Sequence, residues 1–266
     1  MTSLRLDRAL VERGLVSTRT KAQRLIERGV VTVDDGVVTK TSLPVAQHSV
    51  VVVTEPDTDV GRGALKLRAA LEHWPIPVEG VSAVDLGAST GGFTQVLLES
   101  GARSVVAIDV GHGQLHASLA NDTRVVSWEG QNILELTPAM WRDKELPQDV
   151  SVVVADLSFV SLRAVVEAAV DLFGAHTHYL LLVKPQFEVG RGAVRRGIVK
   201  DEQSRDNAVA QVADAWNAAG VTVRGVMPSP ITGEKGNVEY LLYTSATPSV
   251  YPAEWDGQIP ASTTGK

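Results

Sequence analysis

Apolar positions along the chain fall into two patterns, one at the front and one in the body. Over residues 5–13 they recur at helical spacing, and they do so again in a second segment that Ser17 or Thr18 can cap and that ends near Gly29. Short β-branched runs separated by turn residues then continue to Thr54. The front is therefore predicted to be a small module in which one short sheet closes over two helices.

Beyond residue 81, short β-branched runs alternate with helical patterns, which is typical of a largely parallel sheet covered by helices on both faces. We predict strands at 83–86, 105–110, 125–128, 151–157, 179–184, 221–227 and 239–244. We predict helices at 64–73, 91–100, 113–120, 159–173 and 203–219. The resulting division has a front domain at 1–60, a linker and helix at 61–80, a body at 81–245 and a poorly ordered tail at 246–266.

Charge is distributed unevenly between these parts. The whole chain carries a net charge of −6, yet residues 1–30 hold seven basic and three acidic residues. In the second helix Lys21, Arg24 and Arg28 recur at i, i+3 and i+7, which lines their cations along one side at a spacing that suits phosphates. The pattern favours binding of an anionic polymer by the front, with an ordinary solvated charged face as the alternative.

Composition excludes several classes of protein. The chain has no cysteine, which rules out disulfides, thiol nucleophiles and thiolate metal sites, and its six histidines lack zinc-binding spacing, so no metal is predicted. No apolar run approaches 18 residues, so we expect neither a membrane span nor a membrane partner. A cytoplasmic location is the default expectation.

The first predicted strand of the body ends in a glycine-rich turn that leads into a helix. Glycines there allow the backbone to approach a ligand closely. Ser89 replaces the central glycine of a dinucleotide fingerprint, so a nucleoside cofactor without pyrophosphate fits better. Asp109 closes the next strand, where a carboxylate suits ribose hydroxyls and a helix cap is the alternative. Asn132 is predicted to lie against an adenine or to be a turn asparagine, and Asp85 is either a ligand contact or a structural carboxylate. The predicted cofactor-binding residues are Asp85, Gly87, Ala88, Ser89, Thr90, Gly91, Gly92, Phe93, Asp109 and Asn132.

Four charged residues are predicted to meet at one edge of the sheet. Working groups in such folds collect at the carboxyl ends of the parallel strands. Asp156 and Lys184 lie at such ends, and Glu239 starts the last strand, which reaches the same edge if that strand is antiparallel. Lys66 in the preceding helix completes the set of candidate catalytic residues. Taken alone, Lys66 or Glu239 is more typical of a surface salt bridge.

These motifs carry a family resemblance. The front, over residues 5–33, resembles the S4 RNA-binding fold, and the glycine loop with Asp109 resembles the S-adenosylmethionine methyltransferase fold, in which the last strand is antiparallel. The order Lys, Asp, Lys, Glu resembles the tetrad of the FtsJ-related ribosomal RNA 2′-O-methyltransferases. With the segments 87–94, 155–159, 184–188 and 235–240, the chain looks most like the TlyA family. One departure is Gly61-Arg62-Gly63-Ala64, where the family commonly has Ser-Arg-Gly-Gly.

The resemblance implies an α/β, Rossmann-like methyltransferase behind a small α+β S4-like domain. It implies S-adenosyl-L-methionine as cofactor and methylation of cytidine 2′-hydroxyls in 16S or 23S ribosomal RNA or both, with ribosomal subunits as partners. Lys184 is the candidate base, because a lysine that ends a buried strand is partly desolvated. The arginine-rich loop at 189–197 is interpreted as a mobile grip on phosphates beside the target, or else as a solvated loop. Phe187 is a candidate for stacking on a flipped base or for packing. The predicted RNA-binding residues are Arg5, Arg19, Lys21, Arg24, Arg28, Arg62, Arg191, Arg195 and Arg196.

Three other functions stay open at this point. A non-catalytic ribosome-binding or assembly factor would need the S4-like front but none of the four charged residues. A membrane-lytic hemolysin, a label often given to this family, would need an amphipathic membrane segment, and none is predicted. A nicotinamide oxidoreductase is compatible with the glycine loop alone, but it leaves the basic front unexplained.

Overall fold

The computed structural model describes residues 3–16, 19–54, 59–190, 192 and 194–245. The chain divides into two compact units between Thr58 and Asp59, and each is described by itself. The predicted cap residues Ser17 and Thr18, the predicted RNA-binding residue Arg191 and the predicted tail lie outside the described residues.

The described part of the smaller unit contains two helices and five very short strands. Its elements are β1 (Ser3–Arg5), α1 (Leu6–Glu12), α2 (Arg19–Glu27), β2 (Val31–Val33), β3 (Gly36–Val37), β4 (Pro44–Ala46) and β5 (Val51–Val53). Leu6, Leu10, Leu25 and Ile26 pack together in its buried core. β1 and β4 form a sheet of their own, separate from the sheet β3-β2-β5. The small sheet predicted for this region is present as β3-β2-β5, and the additional pair β1 and β4 was not predicted, because three-residue strands are too short to show a period of two.

The larger unit begins with α3 (Gly63–His73). Its strands are β6 (Ser82–Leu86), β7 (Ser104–Asp109), β8 (Val125–Glu129), β9 (Val150–Ala155), β10 (His178–Val183), β11 (Val223–Pro228) and β12 (Tyr240–Thr244). Its other helices are α4 (Gly92–Glu99), α5 (Ala117–Ala120), a 3₁₀ helix (Ile133–Glu135), α6 (Pro138–Asp143), α7 (Leu162–Phe173), α8 (Pro185–Glu188) and α9 (Glu202–Ala218). All seven predicted strands are present. The helix predicted at 113–120 is reduced to its last four residues, and the sequence pattern missed α6 and α8.

The seven strands form one sheet in the order β11-β12-β10-β9-β6-β7-β8. Strands β6 to β10 run parallel to one another, while β12 is antiparallel to both of its neighbours. The antiparallel last strand implied by the resemblance is therefore confirmed. The chain leaves β6 toward β7 on one side and returns to β9 on the other, so a crevice opens between the carboxyl ends of β6 and β9.

Helices cover both faces of this sheet, as the alternating pattern predicts. One core joins the strands to α6, α7 and α9, and the other joins them to α3, α4 and α5. Strand residues are buried on both faces, which is why these strands appear in the sequence as continuous apolar runs. Within the described ranges, no helix is long and apolar enough to cross a membrane.

Candidate active site

The four predicted catalytic residues meet at the carboxyl edge of the sheet. Asp156 directly follows β9, Lys184 directly follows β10, Glu239 directly precedes the antiparallel β12, and Lys66 lies on α3. Asp156, Lys184 and Glu239 are thus each one residue outside the strands in which we predicted them. The antiparallel direction of β12 brings Glu239 to the edge where the parallel strands end.

The four side chains form a chain of ion pairs. Lys66 Nζ donates to Glu239 Oε2 at 2.7 Å and lies 3.6 Å from Asp156 Oδ2. Lys184 Nζ lies 2.6 Å from Asp156 Oδ1 and donates to Ser158 Oγ at 2.8 Å. Both lysines and Glu239 are largely buried. Two cations and two anions balance, as buried charges require.

The glycine loop after β6 packs against the same edge. Gly87, Ser89 and Gly91 have φ values of +83°, +47° and +95°. A Cβ atom on Gly87 would lie 2.7 Å from the backbone oxygen of Asp156, so only glycine fits there. Asp109 holds the loop, because its Oδ2 accepts from the Ser89 N–H at 2.8 Å and its Oδ1 accepts from the Gly111 N–H at 2.7 Å. It is not the helix cap that the alternative interpretation proposed.

Asp85 and Asn132 make local contacts. Asp85 is fully buried, and its Oδ2 accepts from the Thr94 N–H at 2.9 Å and from the Thr94 hydroxyl at 2.7 Å. Burial raises the pKa of Asp85 to about 7. Its Oδ1 has no hydrogen-bond partner among the described residues. Asn132 Oδ1 accepts from the Leu134 N–H at 3.1 Å and caps the 3₁₀ helix. These contacts match the structural alternatives for both residues, and a cofactor role for either stays a prediction.

A cleft of about 670 Å³ opens over the ion-paired cluster. It is lined by the four charged residues, most of the glycine loop, and Phe159 and Phe187, whereas Asp85, Asp109 and Asn132 do not line it. Phe159 has a φ of +65° and is 92% exposed, which is a strained conformation for an aromatic residue. Its ring lies 5.2 Å from that of Phe187, centroid to centroid. Sequence reasoning missed Phe159, because a single aromatic residue in a loop gives no periodic signal.

Two of the predicted RNA-binding arginines of the smaller unit share one partner. Asp7 is fully buried and accepts from Arg5 Nε at 3.1 Å, from Arg19 Nε at 2.9 Å and from Gln23 Nε2 at 3.1 Å. The Arg5 guanidinium holds the pKa of Asp7 well below its usual range. Both arginine side chains remain about half exposed. Asp7 therefore fixes two guanidinium groups beside each other at the surface.

The predicted row of cations on α2 is wrong at one position. Arg24 is only 9% exposed, whereas Lys21 is half-buried and Arg28 is exposed. Because the core of the smaller unit covers more of α2 than the apolar positions alone indicate, Arg24 lies at its edge rather than in an exposed row.

Of the predicted RNA-binding arginines of the larger unit, the structure describes Arg62, Arg195 and Arg196. Arg62 lines the cleft and donates from Nη2 to the Thr232 backbone oxygen at 2.7 Å. Arg195 and Arg196 are exposed, in a tight turn closed by two hydrogen bonds of 3.0 Å between the backbones of Arg195 and Ile198. Arg196 and the following glycine have φ values of +53° and +81°, the signature of a type I′ turn.

Asn237 is a buried residue of this region that the sequence did not reveal. Its Nδ2 donates to the Gly197 backbone oxygen at 2.7 Å, and its Oδ1 accepts from the Val199 N–H at 3.1 Å. It thereby ties the arginine-bearing turn to the segment that carries Glu239. Nothing in the local pattern shows this contact, because the partners are 38 to 40 residues apart.

No group of three or more histidine, aspartate or glutamate side chains in the described segments could hold a metal ion.

Comparison with known proteins gives concordant matches. The chain matches the FtsJ-like methyltransferase family over residues 60–246 and the S4 domain over residues 4–51. It is 46% identical over 242 residues to the 16S/23S rRNA (cytidine-2'-O)-methyltransferase TlyA of Mycobacterium tuberculosis, with 90% of this chain and 88% of that protein covered. It is 39% identical over 241 residues to the putative rRNA methyltransferase YqxC of Bacillus subtilis, with 90% and 84% covered. The solved structure of a putative hemolysin from Streptococcus thermophilus aligns with a TM-score of 0.69 at 32% identity, covering 99% of this chain and 93% of that one.

Proposed function

Because the chain belongs to the FtsJ-like methyltransferase family, we propose that it methylates the 2′-hydroxyl of cytidine in ribosomal RNA of the 16S or 23S type, or both, with S-adenosylmethionine as methyl donor. The observation that carries this proposal is the buried cluster of Lys66, Asp156, Lys184 and Glu239 beside the glycine loop. The substrate is supported by the name and the 46% identity of the mycobacterial relative.

The residues at the crevice fit the proposed cofactor. Each oxygen of Asp109 accepts one backbone N–H, and a carboxylate has about four acceptor sites, so capacity remains for two ribose hydroxyls. The glycine loop would hold the rest of the molecule through its exposed backbone. When bound, S-adenosylmethionine supplies a methyl group on a positively charged sulfur, which leaves with the electron pair of the broken C–S bond.

The two lysines have different partners, and this difference assigns their roles. Lys66 lies between two carboxylates, those of Asp156 and Glu239. Lys184 contacts one carboxylate, that of Asp156, and one neutral hydroxyl, that of Ser158, so we assign to its neutral form the role of accepting the proton of the ribose 2′-hydroxyl. The fixed charge of Lys66 then stabilises negative charge that develops on the ribose oxygen.

Exposed aromatic and basic groups surround this centre. The rings of Phe159 and Phe187 offer a stacking surface to a base turned out of its helix. Arg62, which lines the cleft, and Arg196, in the turn whose Val194 and Gly197 line it, would contact phosphates beside the target nucleotide, and Arg5 and Arg19 offer a phosphate contact on the smaller unit. We accordingly assign RNA binding to residues 1–60, a linker and helix to 61–80, and methyl transfer to 81–245.

The direct test is transfer of labelled methyl from S-adenosylmethionine to purified 30S and 50S subunits that lack the modification. We expect Lys184→Ala to reduce transfer by about 100-fold or more, because a positioned base contributes about 10²- to 10⁴-fold. Cofactor affinity, measured by titration calorimetry, should stay close to that of the wild type.

Asp109→Ala is the matched variant, and it should affect cofactor binding rather than the transfer step. It removes the anchor of Ser89 and should weaken cofactor affinity first. Full activity of Lys184→Ala would remove Lys184 from the role of base. Absence of transfer by the wild-type protein to either subunit, despite cofactor binding, would contradict the proposed function.

A further inference from the structure

The amine of Lys184 has two acceptors in the protein, and both come from the loop after β9. Asp156 Oδ1 lies 2.6 Å from Nζ, and Ser158 Oγ lies 2.8 Å from it. In the described ranges, Nζ makes no third hydrogen bond. All three residues line the cleft. The remaining tetrahedral position of the nitrogen is therefore the one that a substrate hydroxyl can reach.

The second acceptor decides what Lys184 presents to the substrate. To act as a base, Lys184 must first lose the proton that makes it a cation in the ion pair with Asp156, and the resulting neutral amine has two N–H groups and one lone pair. With Asp156 as its only partner, rotation about the Cε–Nζ bond would direct an N–H at the substrate as readily as the lone pair. With Ser158 as a second acceptor, both N–H groups are occupied, and the lone pair takes the free position. A base needs that lone pair within hydrogen-bond reach of the proton it removes.

Hydrogen bonds connect the loop that carries Ser158 to the helix that follows Lys184. The buried side chain of Glu188 accepts from the Ser161 hydroxyl at 2.5 Å and from the Leu162 N–H at 2.7 Å. Glu188 belongs to α8, which starts directly after Lys184, whereas Ser161 and Leu162 directly follow the loop that carries Ser158. The loop after β9 and the helix after β10 are thereby joined.

We propose that Ser158 is a positioning residue that aims the lone pair of Lys184 at the ribose 2′-hydroxyl. This inference rests on the proposed function and adds to it a group outside the four charged residues. Ser158 is exposed at the cleft, so its hydroxyl can be removed without leaving a buried cavity.

The test compares Ser158→Ala with Ser158→Thr, which keeps the hydroxyl. Methyl transfer to unmodified ribosomal subunits is measured in single turnover with excess enzyme and saturating S-adenosylmethionine, beside the wild type and Lys184→Ala. We expect Ser158→Ala to slow transfer by about 10- to 100-fold, because a misaligned Lys184 would lose part of the rate enhancement that a positioned base supplies. We expect Ser158→Thr to restore most of the rate. Cofactor Kd, subunit KM and thermal midpoint should match those of the wild type for both variants.

Three results would overturn the inference. They are a full rate for Ser158→Ala, a loss of cofactor or subunit affinity that accounts for the slower rate, and a Ser158→Thr variant as slow as Ser158→Ala. The wild type and Lys184→Ala, measured in parallel, show whether the Ser158 inference alone fails or the proposed function fails as well. If the wild type transfers no methyl group, or Lys184→Ala transfers it at the wild-type rate, the proposed function fails and this inference falls with it.

Discussion

Asp156 contacts Lys66 and Lys184, one through each carboxylate oxygen. Removing it would leave two cations in a largely buried site with only Glu239 as a counterion, which is costly in a medium that hydrates charges poorly. A single carboxylate thus sets the distance between the proposed base and the proposed fixed charge. Asp156 is for this reason a poor site for separating stability from catalysis, and Lys184 and Ser158 are better ones.

The buried carboxyl group of Asp85 makes the stability of the protein depend on pH. Its pKa is raised from 3.8 to about 7 in the folded protein, so between these pH values the folded state holds a proton that the unfolded chain has released. The free energy of unfolding contributed by Asp85 therefore falls as pH rises from about 4 to about 7. Asparagine cannot ionise, so Asp85→Asn should gain stability relative to the wild type between pH 5 and pH 8 in urea unfolding.

Asp149→Asn is the matched control for that measurement. Asp149 is exposed, and its Arg103 partner lowers its pKa, so it is ionised in both states throughout this pH range. Its stability difference from the wild type should not change between pH 5 and pH 8. A stability difference for Asp85→Asn that is equally independent of pH would contradict the buried, proton-holding state of Asp85.

The loops that follow β6, β9 and β10 place all of this chemistry at one edge of the sheet. The switch in strand order between β6 and β9 makes the glycine loop and Asp156 neighbours, although they are about 70 residues apart. The two backbones approach closely, because a Cβ atom added at Gly87 would lie 2.7 Å from the backbone oxygen of Asp156. The loop and the ion-paired cluster therefore depend on each other for position.

Gly87→Ala tests this dependence, with Gly80→Ala as its control. Both glycines have positive φ, +83° and +72°, so alanine costs about 1–2 kcal/mol of backbone strain at either position. A Cβ on Gly80 meets nothing within 4 Å, but on Gly87 it overlaps Asp156. We expect Gly87→Ala to lose more stability in urea unfolding and to lose methyl transfer, and Gly80→Ala to keep transfer. Equal effects of the two substitutions would contradict the close contact.

The sequence predicts the body well at the level of elements, because its strands are buried runs of β-branched residues with strong local signals. All seven strands lie within two residues of their predicted starts and ends. The three-residue strands β1 and β4 and the four-residue α8 are too short to give such a signal. Within the site, strand ends pointed to Asp156 and Lys184, but the roles of Ser158 and Asn237 depend on contacts with distant segments that no local pattern encodes.

At the scale of the whole molecule, the chain joins a small unit, whose first 30 residues are basic, to a larger acidic one. The smaller unit matches the S4 domain and carries Arg5 and Arg19 on a shared buried aspartate. The larger unit matches the methyltransferase family and carries the cleft. A basic surface on one unit and a transfer site on the other suit a large RNA substrate that reaches both, which favours a folded ribosomal subunit over a short oligonucleotide.

The chemical position of the transferred methyl group tests the central claim most directly. Ribosomal RNA from unmodified 30S and 50S subunits treated with the protein and S-adenosylmethionine would be digested to nucleosides and analysed by mass spectrometry. We predict 2′-O-methylcytidine as the new product, absent when Lys184→Ala replaces the wild type. A methyl group on the cytosine ring, or 2′-O-methylcytidine formed equally well by Lys184→Ala, would contradict the assignment of the Lys66, Asp156, Lys184 and Glu239 cluster to ribose methylation.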